Sequence, residues 1–397
     1  MTILVLNSGS SSVKYRLFEM NGEKCLAWGV VERIGANGAL LIHQRHDGDQ
    51  VKLAGEIADH QSAIEYILAI LLSPNHGVIA DRQEIKAVGH RVVHGGEKFS
   101  GSIIIDAEVM SQLHDCIELA PLHNPANIKG IQACKAAMKG VPQVAVFDTA
   151  FHHDMPDYAY MYGLPYILYK KYAVRRYGFH GTSHRYVADR AANLMGKPIG
   201  ELKLVTCHLG NGCSSAAVNR GVSVDTTMGF TPVEGLLMGT RTGDLDVAAL
   251  LYLMGREEIG LTEANSLINK HSGLQGISGV SNDMREIEAE ALSGHHRALL
   301  ALNMFCYRVK KYIGAYAAAM GGLDGIVFTG GIGENSAIVR QKSTEGLEFL
   351  GVSLDVAKNQ VLSKDERFVD TGSRVRIMVI PTNEELVIAR DTLLLVG

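Results

Sequence analysis

Thr2-Ile3-Leu4-Val5-Leu6-Asn7-Ser8-Gly9-Ser10-Ser11-Ser12-Val13-Lys14-Tyr15-Arg16-Leu17 is the stretch whose reading decides the fold. Residues 3–6 form an apolar run of strand length, residues 8–12 a turn of small residues, and residues 13–17 alternate apolar and polar side chains. Asn21-Gly22 then predicts a hairpin turn into a third strand over residues 25–31. The same unit returns in the second half. Residues 204–207 lead into His208-Leu209-Gly210-Asn211-Gly212, residues 214–218 read as a second strand, Asn219-Arg220-Gly221 as a turn, and residues 222–224 as a third strand. Two such units predict a duplicated fold whose halves face each other across a cleft.

Helical signals separate the strands. Asn124-Pro125 opens a periodic stretch through Met138, Ser183-His184 precede another over residues 186–195, and residues 299–320 read as a long helix stopped by Gly321-Gly322. A strand over residues 326–329 runs into Gly330-Gly331-Ile332-Gly333-Glu334-Asn335, with a helix from Ser336. A last strand covers residues 377–380, and a final helix opened by Thr382-Asn383-Glu384-Glu385 runs to Leu395. Strands alternating with helices indicate an α/β architecture.

Composition sets outer limits. The 397 residues suit two or three domains, and 47% hydrophobic with 20% charged residues is ordinary globular usage, not that of a disordered or fibrous chain. A net charge of -4 lacks the basic excess of a nucleic-acid binder. Six cysteines without C-x-x-C pairing read as reduced thiols. The apolar run at residues 3–6 has no basic region before it, and residues 66–72 are too short to span a bilayer, so a soluble cytoplasmic protein is expected. Glycine is the outlier, 43 residues gathered into a few loops.

Those loops carry the chemistry. The Ser8–Ser12 turn, at the end of a buried strand, suits a phosphate as well as an ordinary tight hairpin. Gly330-Gly331-Ile332-Gly333 says more, because strand, glycine cluster and helix N-terminus follow in the order that sets backbone N–H groups against a nucleotide. It is neither a G-x-G-x-x-G fingerprint nor a Walker loop. His180 and His184 stand four apart, but Gly181 and Thr182 between them indicate a loop or helix start, and no H-E-x-x-H is present. The pairs His152-His153 and His295-His296 read as solvated surface.

Leu6-Asn7-Ser8-Gly9-Ser10-Ser11-Ser12-Val13-Lys14 and Tyr177-Gly178-Phe179-His180-Gly181-Thr182-Ser183-His184 resemble the two signatures of the acetate kinase family. So do Gly89-His90-Arg91-Val92-Val93-His94-Gly95-Gly96, Pro121-Leu122-His123-Asn124, Val146-Phe147-Asp148-Thr149, Met238-Gly239-Thr240-Arg241 and Thr329-Gly330-Gly331-Ile332-Gly333-Glu334-Asn335. The resemblance implies the superfamily of sugar kinases, heat-shock ATPases and actin: two ribonuclease-H-like domains, each a βββαβαβα core, flanking a nucleotide-binding cleft. The expected domains are 1–150, completed by a C-terminal helix over 383–397, and a nucleotide-binding domain over 151–382.

The implied reaction is reversible, direct in-line transfer of the ATP γ-phosphoryl group to acetate, giving acetyl phosphate and ADP. Propionate or butyrate is the alternative acceptor, and an ATP-hydrolysing switch of the actin type the alternative of another class. Negative charge on both nucleophile and phosphoryl group calls for cations that keep their protons, which suits Arg91 and Arg241. By resemblance, His180 stabilises the transferred group and Asp148 is the essential acid. Acetate has no proton to give up at neutral pH, so Asp148 is expected to orient magnesium-bound water or to hold the arginines. Arg91, Val93, Leu122, Phe179 and Pro232 would receive the acyl group. Lys14, His208, Leu209, Gly210, Asn211, Gly212, Asp283, Met284, Arg285, Gly331, Ile332, Gly333, Glu334 and Asn335 would contact ATP. Asn7 and Glu384 would meet Mg2+, or Mn2+ in its place. Asp283 with Glu286, and Thr382 with Glu385, also read as helix capping boxes. The expected partners are small-molecule substrates only, without nucleic acid or membrane, in a homodimer.

Overall fold

Every residue of β1 (Thr2–Ser8) is buried except Asn7, which is half-buried, because the strand lies inside a sheet covered on both faces. The computed structural model describes residues 1–397, which divide into two units, Met1–Ala150 with Asn383–Gly397, and Phe151–Thr382.

In the first unit β1 pairs antiparallel with β2 (Ser12–Glu19), which pairs with β3 (Lys24–Glu32). A hairpin of β4 (Ala39–Arg45) and β5 (Gln50–Gly55) widens that edge, an extension without a counterpart among the strands expected above. On the other side of β1 lie β6 (Ile85–Val92), β7 (Ile103–Ile104) and β8 (Gln143–Phe147), giving the order β5-β4-β3-β2-β1-β6-β8-β7. β6 runs parallel to β1, and β8 parallel to β6. Helix His60–Leu71 closes a core of Leu4, Leu6, Leu17, Ile64 and Leu68.

The second unit repeats the plan. β9 (Lys203–Leu209), β10 (Cys213–Asn219) and β11 (Val222–Thr226) form an antiparallel meander. β12 (Gly325–Thr329) pairs parallel with β9, β13 (Arg367–Phe368) forms an edge, and β14 (Arg376–Val379) pairs parallel with β12. The order is β11-β10-β9-β12-β14-β13. Its core, β3-β2-β1-β6-β8 in one unit and β11-β10-β9-β12-β14 in the other, is the same arrangement twice, as the two strand-turn-strand units predict.

Two boundaries differ from the sequence reading. The helix expected from residue 186 begins five residues earlier, at Gly181–Met195, placing Ser183 and His184 in its first turn. Gly330–Asn335 is itself a short helix, not a loop, followed by Ala337–Thr344. The closing helix, Glu384–Val396, packs on β6 in the first unit, where a Cβ on Gly89 would lie 2.5 Å from Thr392 Oγ1 and 2.6 Å from Ile388 Cγ2. Glycine at that position is what lets helix and strand approach.

Candidate active site

In the first unit, parallel pairing sets Leu6 beside His90 and Arg91 beside Val146. The turn after β1, the end of β6 and the end of β8 therefore emerge at one sheet end, the carboxyl end of the parallel strands, where ligands of such sheets bind. Arg91 forks onto Asp148, with Nε donating to Oδ1 at 2.9 Å and Nη2 to Oδ2 at 2.5 Å. The carboxylate side chain is 2% exposed. Burial raises the Asp148 carboxyl above its ordinary value against the pull of Arg91, with Glu384 adding to the rise. Burial also works against the Arg91 charge, but Asp148 and then Glu384 overcome it and hold the guanidinium more firmly protonated than usual. Asp148 thus spends both oxygens on Arg91, and Arg91 keeps Nη1 outside that fork.

Glu384 reaches this neighbourhood because it opens the helix that docks on β6. The cap of that helix is Asn383, whose Oδ1 accepts the Leu386 N–H at 3.2 Å, so the capping box expected of Thr382 and Glu385 is not formed. Asn7 faces Lys14 across the β1–β2 pair, Asn7 half-buried and Lys14 exposed. Val93 is half-buried and Leu122, at 66% exposure, is no part of a core. A residue the sequence reading missed ties the turn to Val93: Asn127 Nδ2 donates to the Ser8 carbonyl at 2.8 Å while its Oδ1 accepts the Val93 N–H at 3.1 Å. Its signal was Asn124-Pro125-Ala126-Asn127, where two amides share the first turn of a helix.

In the second unit His180 is the N-cap of Gly181–Met195 in a left-handed conformation, φ 57° and ψ 24°, a costly geometry for a residue with a Cβ. Its Nδ1 shares a hydrogen bond with Ser214 Oγ at 2.8 Å, and its ring stacks on His208 with centroids 4.3 Å apart. A Cβ on Gly212 would lie 3.6 Å from both His180 Cε1 and Arg241 Nη1, so the two groups meet over that glycine. Arg241 Nη1 donates to the Pro232 carbonyl at 3.0 Å, and no carboxylate pairs with the guanidinium. Burial lowers its pKa. Phe179 is buried, its carbonyl 3.0 Å from His152 Nε2.

The glycine turns of this unit line a cavity of about 750 Å3, bordered by Gly210, Asn211, Asp283, Met284, Arg285, Gly331, Ile332 and Asn335. Four further residues, Asn282, Glu288, Ser336 and Leu362, border it without having been expected there. Glu288 was within reach of periodicity, standing one turn after Met284 on helix Met284–Leu292. Asp283 caps that helix through the Arg285 N–H at 2.9 Å and also binds the Arg285 guanidinium, in place of a box with Glu286. A Cβ on Gly239 would fall 1.9 Å from Asn211 Oδ1, which is how the Arg241 loop and the Gly210-Asn211-Gly212 turn fit together.

Six expected nucleotide contacts, Lys14, His208, Leu209, Gly212, Gly333 and Glu334, do not border the cavity. Leu209 is fully buried, and Gly333 faces the Phe328 and Cys207 backbone. Glu334 spends Oε1 on the N–H groups of Gly330 at 2.9 Å and Thr382 at 3.2 Å, stapling the glycine segment. His152, expected at the surface, is fully buried between Ser223 and Phe179. No group of three or more His, Cys, Asp or Glu is placed to hold a metal, and no helix is long and apolar enough to cross a membrane.

Residues 2–390 match the acetokinase family. The chain belongs to that family. It is 57% identical over 393 residues, 99% of this chain and 98% of the relative, to an acetate kinase of Caldanaerobacter subterraneus subsp. tengcongensis. Among solved structures, the crystal structure of Porphyromonas gingivalis acetate kinase superposes with a TM-score of 0.97 at 48% identity, covering 100% of both chains. A propionate kinase from Francisella tularensis follows at 0.92 and 42%, covering 99% of each. As an acetokinase the chain is a phosphotransferase of kinase type, and its two-unit α/β fold is that of those structures.

Proposed function

We propose that this acetokinase transfers the ATP γ-phosphoryl group directly and reversibly to acetate, giving acetyl phosphate and ADP. The observation that carries the reading is Arg241: a half-buried guanidinium without a carboxylate partner, beside His180 and over the Gly212 backbone. Burying a lone cation is costly unless an anion completes the site, and a phosphoryl group in flight spreads negative charge over three oxygens. The glycine-lined cavity beside it would take the nucleotide, with Asn211 and the Gly331-Ile332 backbone toward the phosphates. Arg91, set by Asp148, would offer Nη1 to the acetate carboxylate, and Val93, Leu122, Phe179 and Pro232 would border the methyl group. Lys14 would lie near the phosphates.

Asn7 and Glu384 supply oxygen donors, which suit magnesium, but too few to hold it alone; a metal delivered on nucleotide phosphates needs no more than one or two protein oxygens. Bound there, magnesium would neutralise phosphate charge. The exposed apolar residues Val247, Leu251 and Tyr252 on helix Val247–Arg256, with Leu261 beyond it, support a homodimer. The absence of a membrane-spanning helix accords with a cytoplasmic enzyme.

The propionate relative keeps acyl length open, since its fold is nearly the same at 42% identity. Hydroxylamine trapping with ATP, magnesium and each of acetate, propionate and butyrate separates the readings. Acetohydroxamate is expected in largest yield. Propionohydroxamate in excess would reassign the acceptor, and ATP hydrolysis without any hydroxamate would turn the chain into an ATPase switch.

A further inference from the structure

Behind His180 the second unit buries a continuous chain of hydroxyls and imidazoles. Thr206 Oγ1 lies 2.7 Å from His184 Nδ1, His184 Nε2 lies 2.8 Å from Ser214 Oγ, and Ser214 Oγ lies 2.8 Å from His180 Nδ1. Thr206, His184 and Ser214 are fully buried, so no water competes for these bonds. Burial, with His152 and His208 nearby, holds His184 neutral well below the ordinary imidazole range. His184 then carries one N–H and each hydroxyl one proton, and with every buried hydroxyl proton used inside the chain it can be polarised in only two ways.

In one, Thr206 donates to His184 Nδ1, His184 Nε2–H donates to Ser214, and Ser214 donates to His180 Nδ1, which leaves the His180 proton on Nε2. In the other every bond is reversed and Nε2 is a bare lone pair. The His180 Cε1–Nε2 edge is the one that meets Gly212 and Arg241. A lone pair there would repel an anionic oxygen, and an N–H would attract it.

We propose that Ser214 is a positioning residue for the transfer step: backed by His184 and Thr206, its hydroxyl fixes His180 as the Nε2–H tautomer and keeps that edge a donor toward the phosphoryl group. This rests on the reading of His180 as the group that meets the phosphoryl oxygens.

The test uses the full-length enzyme with 15N-histidine labelling. Wild type should show His180, identified by the signal lost in His180→Ala, with Nε2 protonated and Nδ1 bare. Ser214→Ala should lower kcat about tenfold to a hundredfold, the range typical when an imidazole loses its orienting partner, leave KM for ATP within about twofold, and mix the His180 tautomers. In the His180→Ala background Ser214→Ala should cost nothing more. Thr206→Val, which removes the proton at the far end, should shift the tautomer in the same direction and serves if Ser214→Ala does not fold. Unchanged kcat and tautomer in Ser214→Ala or Thr206→Val, or an equal loss with and without His180, would overturn the proposal. Full activity in His180→Ala would instead remove the reading beneath it.

Discussion

The two units build the same five-strand core and then treat two half-buried arginines in opposite ways. Arg91, at the end of β6, brings its own counter-ion: Asp148, one residue past β8, takes its fork and is 2% exposed. Arg241 has a backbone carbonyl and a thioether as partners, and burial weakens its hold on its proton. One arginine is a finished ion pair with an edge to spare; the other is a cation with no carboxylate in the chain to balance it. Strand topology sets where Arg91 emerges, whereas Arg241 sits on the connection between β11 and helix Val247–Arg256 and is placed by that loop.

The largest effect that could break this contrast is on turnover. Arg241→Ala should reduce kcat by about a hundredfold to a thousandfold, the usual loss when one preorganised donor leaves a dry site, with KM for ATP little changed. Arg241→Lys should recover little, because an ammonium cannot fork onto an oxyanion. Steady-state rates near wild type would remove Arg241 from the reaction.

Asp148→Asn comes next. An amide cannot balance the Arg91 charge, so kcat should fall by about tenfold or more while magnesium half-saturation stays where it was, measured from pH 6 to 8. A raised magnesium requirement would show that Asp148 also serves the metal, and an unchanged rate would mean that the Arg91 fork does not matter to transfer.

Acyl selection should respond more gently. Val93 is half-buried and stiff at χ1, and one methylene is worth about 1–3 kcal/mol in such discrimination. Val93→Ala should raise kcat/KM for propionate relative to acetate; a ratio that does not move would place the acyl group elsewhere.

A further effect concerns what the two units share. Each buries neutral imidazoles, His90 and His94 in the first and His152 in the second, all pushed down to about 4 by burial. The unfolded chain binds protons on them below about 6.5 and the native chain does not, so stability should fall as pH drops from about 6.5 toward 4. Trp28, the single tryptophan, lies on β3 and reports the first unit, whereas circular dichroism reports both. The two probes should lose urea resistance over the same pH window. Loss confined to one probe would mean that only one unit is acid-sensitive.

Much of this was legible in the chain. Strand-turn-strand spacing and Asn-Gly and Arg-Gly turns disclosed both meanders, since period-two alternation and positive-φ residues are local properties. Arg91, Asp148, His180 and Arg241 could be singled out as residue types, but not as pairs: Arg91 and Asp148 are 57 residues apart in the chain, and only parallel registry brings them together. The same limit hid the burial of His152, which depends on Ser223 and Phe179 from other elements. That a Glu334 oxygen serves two backbone N–H groups was equally hidden, because a local motif does not reveal what its carboxylate meets. The β4–β5 hairpin of the first unit and Leu362 of the second are each that unit's own elaboration, with no motif to announce them.

Equilibrium urea unfolding of Arg91→Ala beside Arg241→Ala, read at pH 7 without substrates, tests the contrast most directly. Removing Arg91 strands a buried carboxylate, so a loss of about 3–5 kcal/mol is expected. Removing Arg241 strands no charge, and its stability should match or exceed wild type. Equal losses in the two variants, or the larger loss in Arg241→Ala, would contradict the account.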